Sequence, residues 1–297
     1  MNQYPNRRTF LAATAALIVS AGCSSWITKK DTTSLTKTQL ETLERDLDGR
    51  LGVFAFNTAN GGQLTYRADE RFPVCSTFKV LAASAILTKS EQVTGLLEQL
   101  IQYERSDLVS YSPITEQHVG VGMTVANLCA AGLQYSDNTA ANLLMNILGG
   151  PEAVTTFARS IGDNEFRLDR WETALNTAIP NDPRDTTTPM AMGLSLYRLV
   201  LGDALKSEHR EQLRNWLLGN TTGATRIKAG IPADWIIADK TGSGDYGTAN
   251  DIAVIWPPKG QPVVVSIYTT QHKQDAKARN DVIASAARTV VDWAVDN

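Results

Sequence analysis

Apolar positions recur in two rhythms along this chain. Residues 51–56 (L-G-V-F-A-F) and 62–67 (G-Q-L-T-Y-R) have the length and apolar content of two strands, joined by a turn at Asn60-Gly61-Gly62. Strand signals return at residues 235–243 (W-I-I-A-D-K-T-G-S), 251–256 (D-I-A-V-I-W) and 262–270 (P-V-V-V-S-I-Y-T-T). Between residue 76 and about residue 220 the signals are mostly helical, punctuated by Gly and Pro. Near the start, Thr38 and Glu41 have the spacing of a capping box, Leu40, Leu43 and Leu47 follow on one helical face, and Gly49 is a stop. Near the end, Val282, Ala286, Val290 and Trp293 form the apolar stripe of a helix spanning about residues 275–295. Strands at both ends with helices between predict an α+β fold. Residues 31–72 and 218–297 are expected to build one discontinuous sheet domain, and residues 73–217 an all-helical one. A site is expected at their interface, where pockets tend to form.

The first residues follow neither rhythm. Arg7 and Arg8 precede an apolar run over residues 10–21, which has signal-peptide length and is too short to span a bilayer well. The stretch N-R-R-T-F-L matches a twin-arginine signal, and Gly22-Cys23 marks a lipoprotein cleavage site, with Ser20 where Leu or Val is expected. Ordinary signal-peptidase cleavage is the alternative. Either way, residues 1–22 are expected to be removed on export, giving a periplasmic protein with Cys23 as a candidate lipid anchor.

The composition is that of a globular protein: 297 residues, 43% hydrophobic and 20% charged, with a net charge of −3. No basic field is available to recruit nucleic acid. His118, His209 and His272 are scattered without metal-ligand spacing, so no metal is expected. Export permits disulfides, but Cys75 and Cys129 are read as two free, buried thiols.

Candidate chemistry begins at residues 72–79, F-P-V-C-S-T-F-K, which lead into an almost wholly apolar segment. Lysine is rarely buried unless something pairs with it or uses it. Ser76 and Lys79 are three apart, so on a helix they face the same way. A serine hydroxyl needs a base before it attacks a carbonyl, and a desolvated lysine with a depressed pKa can be that base. The alternative is a lysine snorkelling to solvent. A similar pair, Ser34 and Lys37, lies in a polar segment and reads as chance. Ser136-Asp137-Asn138 stands at a helix entrance, where the same residue types also serve as caps. Lys240-Thr241-Gly242 ends a predicted strand, offering a charge and a hydroxyl for a carboxylate, or simply an exposed strand end entering a turn.

Taken together and in this order, S-x-x-K, S-D-N and K-T-G are the signature of class A β-lactamases and penicillin-binding proteins. The surroundings R-W-E-T-A-L-N (170–176), R-D-T-T-T-P (184–189) and D-K-T-G-S-G-D-Y-G (239–247) agree. Over essentially all of its length after the signal, the chain resembles class A serine β-lactamases, most closely the chromosomal penicillinases and cefotaximase-like members. That resemblance implies a five-stranded antiparallel sheet flanked by the terminal helices, plus an all-helical domain. It implies Ser76 as nucleophile, Lys79 and Glu172 as candidate bases, Ser136 as proton relay, and Glu172 with Asn176 around the deacylating water. The backbone N–H groups of Ser76 and Ser243 would form the oxyanion hole. Asn138 would hold the substrate's side-chain amide. Lys240, Thr241, Gly242 and Ser243 would meet its carboxylate, with Arg226 either adding charge there or lying on the surface. Tyr111 matches the aromatic residue at the cleft entrance, and Arg170 with Asp185 the ion pair that closes the loop carrying Glu172. β-Lactam substrates and inhibitors are the expected partners, the expected state is a monomer, and no cofactor is implied.

Two rivals share these motifs. A D,D-peptidase would lack the Glu172-x-x-x-Asn176 pair, and a β-lactam sensor would need membrane spans. Departures bear on substrate range. Ala83 and Gly244 stand where some relatives place the second cysteine of a disulfide, so Cys129 and Cys75 lack those partners. Ser243 and Asp245 resemble cephalosporin-active members.

Overall fold

The computed structural model describes residues 29–296; the expected export signal and Cys23 lie outside the described residues. The chain opens with α1 (Lys29–Leu47), β1 (Gly49–Asn57), β2 (Gln63–Tyr66) and the short β3 (Phe72–Pro73). A tight 3-10 turn at Cys75–Phe78 leads into α2 (Lys79–Ser90), followed by the two-residue strands β4 (Leu100–Ile101) and β5 (Met123–Thr124). Next come α3 (Val125–Gln134), α4 (Asn138–Leu148), α5 (Pro151–Ser160), β6 (Thr186–Thr187), α6 (Pro189–Val200), α7 (Ser207–Leu218) and the single-turn α8 (Ile227–Gly230). The last elements are β7 (Ile236–Ser243), β8 (Ala249–Trp256), β9 (Val263–Gln271) and α9 (Asn280–Asp296).

The five longer strands form one antiparallel sheet in the order β2-β1-β9-β8-β7, so the first strand pairs directly with the last. All five follow the expected segments. The alternation of apolar residues divides the core between the two faces. Leu51, Val53, Ala253, Ile255, Val265 and Ile267 pack against Leu40 and Leu47 of α1 and Val282, Ala286, Val290 and Trp293 of α9. On the other face Ile252, Val254, Val264 and Tyr268 join α6 and the helices α2–α5 in a larger core. Here α6 lies against β1, β9 and β8, and Gly193 permits the approach, since a Cβ there would sit 2.5 Å from Phe54.

Two expectations at the helix ends change. α1 begins at Lys29, so Thr38 and Glu41 are interior to it and form no cap; Thr42 instead donates to the Thr38 carbonyl at 3.0 Å. It ends at Leu47, the φ of 52° at Asp48 breaking the helix, while Gly49 already belongs to β1. α9 starts at Asn280, five residues after the expected start. Among the described residues no helix is long and apolar enough to cross a membrane.

α8 is wedged against α9 through Gly230, where a Cβ would lie 2.1 Å from the backbone oxygen of Ala284. Backbone cannot yield as a side-chain tip does. Gly230→Ala is expected to lower the unfolding free energy by about 1–3 kcal/mol in urea titrations, despite the better helix propensity of alanine.

Candidate active site

The geometry begins with Cys75, whose φ of 45° turns the chain into the 3-10 turn before α2, with Ser76 as its second residue. The helix proper starts at Lys79, three residues later than a helix opening at Ser76 would. Two contacts fix the turn against the sheet. Thr77 Oγ1 donates to the Val74 carbonyl at 2.6 Å and lies 2.8 Å from the Tyr268 hydroxyl on β9. The Asn250 side chain on β8 donates to the Pro73 carbonyl at 2.8 Å. β7 passes close behind: a Cβ on Gly242 would lie 3.2 Å from Ser76 N, a tight contact that glycine avoids. Ser76 N and the Ser243 end of β7 are thereby set side by side.

Lys79 is 2% exposed. Its Nζ lies 3.0 Å from Ser76 Oγ, 2.9 Å from the Ser136 carbonyl, 2.6 Å from Asn138 Oδ1 and 3.0 Å from Glu172 Oε1. Burial lowers its pKa, opposed in part by the Glu172 carboxylate. Ser76 Oγ also lies 3.4 Å from Glu172 Oε1. Both candidate bases therefore stand within direct reach of the Ser76 hydroxyl. The apolar segment that made this lysine conspicuous is a buried helix with Lys79 at its first position, and no snorkelling occurs.

Glu172 is held from several sides. Asn176 Nδ2 donates to its Oε2 at 2.5 Å, while Asn176 Oδ1 is buried with no hydrogen-bond partner in the protein. Asn142 on α4 clamps the backbone of Glu172, accepting from its N–H and donating to its carbonyl, each at 3.0 Å. Further back, Arg170 Nε donates to Asp185 Oδ2 at 2.5 Å, and the N–H groups of Asp169 and Arg170 donate to Asp185 Oδ1 at 2.7 and 2.9 Å. The Asp185 carbonyl accepts from Val74 N at 2.8 Å, so the loop is tied to the chain just before the nucleophile.

Within the S-D-N stretch the three residues divide their labour. Asp137 is the cap, as the local reading allowed: it accepts from the N–H groups of Ala140, Ile114 and Thr115 and from the Thr115 hydroxyl. Anchored this way, Ser136 adopts a φ of 58° and turns its side chain toward the two lysines. Its Oγ lies 3.5 Å from Lys79 Nζ and 3.0 Å from Lys240 Nζ. Asn138 bridges Lys79 and the Ser110 carbonyl, the latter at 2.8 Å.

Lys240 is fully buried, and both burial and the nearby charge of Lys79 press its pKa well down. Thr241 Oγ1 meets Thr222 Oγ1 at 2.5 Å. Arg226 is no surface residue: it is 6% exposed, donating to the carbonyls of Gly242 and Asn250, each at 2.7 Å, and to Ser243 Oγ at 2.6 Å. Tyr111, 60% exposed, stands at the rim, its carbonyl accepting from Asn138 N at 3.0 Å. The fold thus gathers Ser76, Lys79, Ser136, Asn138, Glu172, Asn176 and Lys240 into one hydrogen-bonded cluster, with Thr241, Ser243 and Arg226 beside it. By contrast, Lys37 of the chance pair faces Glu41 on the exposed side of α1.

Sequence reasoning missed Asn142, Asn250, Thr222 and Tyr268. Asn142 could have been found, because it follows Asn138 by four residues on the same helical face. The other three act across elements distant in sequence and leave no local pattern.

Cys75 and Cys129 are free and buried, as expected, and burial pushes both thiols well above their ordinary pKa. An alkylating reagent at neutral pH is expected to leave both unmodified in the folded protein and to label both in denaturant, read by peptide mass.

Comparison with known proteins points to one family. Residues 35–294 match the β-lactamase enzyme family. The chain is 58% identical to the β-lactamase CTX-M-97 of Escherichia coli over 85% of its length and 87% of that protein's. It is 54% identical to the β-lactamase OXY-2 of Klebsiella oxytoca, covering 95% and 96% of the two chains. A crystal structure of a β-lactamase from Desulfarculus baarsii superposes with a TM-score of 0.87 at 59% identity, covering 88% of this chain and 97% of that one. With these relatives and a buried serine–lysine–glutamate cluster in one sheet-and-helix fold, the chain belongs to the β-lactamase enzyme family, in its class A serine branch.

Proposed function

We infer that this protein hydrolyses the lactam amide of penicillins and cephalosporins through a serine acyl-enzyme, and so confers β-lactam resistance. Ser76 Oγ attacks the lactam carbonyl while its proton passes to Lys79 or Glu172. The backbone N–H groups of Ser76 and Ser243 hold the oxyanion; one such donor is worth roughly 3–4 kcal/mol in the transition state. As the C–N bond breaks, Ser136 hands a proton to the lactam nitrogen. Water then attacks the ester carbonyl, giving its proton to Glu172, and the C–O bond to Ser76 breaks as the serine regains a proton. Lys240, Thr241, Ser243 and Arg226 receive the substrate carboxylate, Asn138 its side-chain amide, and Tyr111 its flank. Gly242 keeps the strand close to the nucleophile.

One observation carries the choice of a hydrolase over a peptidase or a sensor. Glu172 is buried, clamped by Asn142 and Asn176, and within 3.4 Å of Ser76 Oγ. The unpartnered Asn176 oxygen beside it suits a water molecule as donor. An acyl-enzyme formed here has a base aimed at its ester.

The same reading divides the protein into a sheet domain of residues 31–72 and 218–297 and a helical domain of residues 73–217, acting as a monomer without a cofactor. Residues 1–22 direct export to the periplasm, and Cys23 is the lipid-anchor position.

Purified protein is expected to turn over many molecules of a chromogenic cephalosporin, and Ser76→Ala to abolish this. A single-equivalent burst leaving a lasting mass adduct would overturn the hydrolase reading. Glu172→Gln is expected to accumulate acyl-enzyme by intact mass, with deacylation slowed about 10²–10⁴-fold. Asp185→Asn loosens the loop and should slow deacylation more than acylation in single-turnover kinetics; equal slowing of both steps would refute that role.

A further inference from the structure

Outside the catalytic cluster the molecule buries a second pair of ionisable groups. Asp239 on β7 and Asp251 on β8 are 4% and 0% exposed. In the register of these strands Asp239 faces Ala253 and Thr241 faces Asp251, so residues 239, 241 and 251 share one face of the sheet. The two carboxyls are diagonal neighbours within hydrogen-bonding reach of each other. Asn220 Nδ2 donates to Asp239 Oδ2 at 2.6 Å, and the Ile227 N–H to Asp251 Oδ2 at 3.0 Å. The remaining Asp251 oxygen, Oδ1, is buried with no donor.

Two ionised carboxylates do not share a buried site readily, because each raises the cost of ionising the other. A proton on one of them supplies the missing donor to the other. The surrounding charges are Lys240 on β7, Lys228 on α8 and Arg226 just before it, with the phenol of Tyr268 on β9 kept neutral by burial. Burial pushes Asp239 up to about 6, and burial together with the Asp239 charge pushes Asp251 well above the ordinary carboxylate range.

The pair also connects to the site. Asn220, held by Asp239, accepts at Oδ1 from the Thr222 N–H at 3.0 Å and the Thr222 hydroxyl at 2.8 Å. Thr222 in turn meets the Thr241 hydroxyl at 2.5 Å. We propose that Asp239 and Asp251 share one proton at neutral pH and act as positioning residues, limiting the negative charge beside the substrate-carboxylate site and holding the Asn220–Thr222–Thr241 chain in place. The functional half of this proposal rests on Lys240 and Thr241 being that site; the shared proton does not.

The test combines infrared spectroscopy, unfolding and kinetics. In deuterium oxide at neutral pH, the folded wild-type enzyme should show a protonated-carboxyl band that Asp251→Asn removes. Asparagine at 251 can still accept from Ile227 and donate to Asp239, so the variant retains both contacts. A carboxyl whose folded pKa is raised stabilises the fold below its unfolded pKa, and that contribution is lost as pH rises through the folded value. The wild-type Tm should therefore fall relative to that of Asp251→Asn as pH climbs above the ordinary carboxylate range. On the alkaline side, wild-type KM should rise several-fold more than that of the variant, at constant kcat. Absence of the band in the wild type, or a Tm difference independent of pH, would overturn the shared proton. A band present with the same KM profile in both proteins would overturn the positioning role. Neither failure would touch hydrolysis itself, whereas an inactive wild-type enzyme would strike the proposed function and leave the infrared result standing.

Discussion

The site depends on one buried ammonium group. Lys79 Nζ has three N–H bonds when charged, yet four oxygens lie within 3.0 Å of it, from Ser76, Ser136, Asn138 and Glu172. Not all can be satisfied at once. Desolvation and the carboxylate pull its protonation in opposite directions. A group held in this balance changes state with little rearrangement, and the proposed proton transfer at Ser76 requires that property. The three motifs belong to three different elements: α2, the turn before α4, and β7. Lys79 is the atom-level junction of the first two, and Ser136 joins it to the third through Lys240.

Much of this was legible in the sequence, for reasons that differ by residue. The strands could be read because their apolar content and turn residues are local properties, and all five appear where expected. The clustered residues could be read because each motif places its side chains within one turn of helix or one strand end. Arg226 was ambiguous because nothing within its own segment signals burial; its partners Gly242, Ser243 and Asn250 come from the two strands that meet above it. Asn250 and Tyr268 left no trace for the same reason, since their role is to join the nucleophile turn to the sheet. The start of α1 was misread because Thr38 and Glu41 have capping spacing without the chain reversal that makes a cap.

The structure also shows how local rules and function coexist in one motif. Asp137 satisfies the ordinary demand of a helix N-terminus, and by doing so holds its neighbours in positions the chain would otherwise disfavour. Ser136 and Cys75 both take positive φ values, and each stands in or directly beside the catalytic cluster. Non-glycine residues in that region persist where surrounding contacts over-determine them. Here those contacts are the Asp137 hydrogen bonds in one case and the ties from Asn250 and Thr77 in the other.

The pairing of β1 with β9 has a consequence for the order of assembly. Thr58 and Pro262, hydrogen-bonded at the end of that strand pair, are 204 residues apart. Closing so large a loop before its contacts form is entropically unfavourable, and topologies of this kind fold slowly. Until β9 is available, β1 has no inner neighbour, and the β7–β8 pair, which carries Lys240 and Ser243, cannot join the sheet of β1 and β2. The helices can form locally as the chain emerges, but the carboxylate side of the cleft cannot. The candidate site is therefore among the last features of the molecule to form, and an incomplete chain has Ser76 and Lys79 without the strand that brings Lys240 to them.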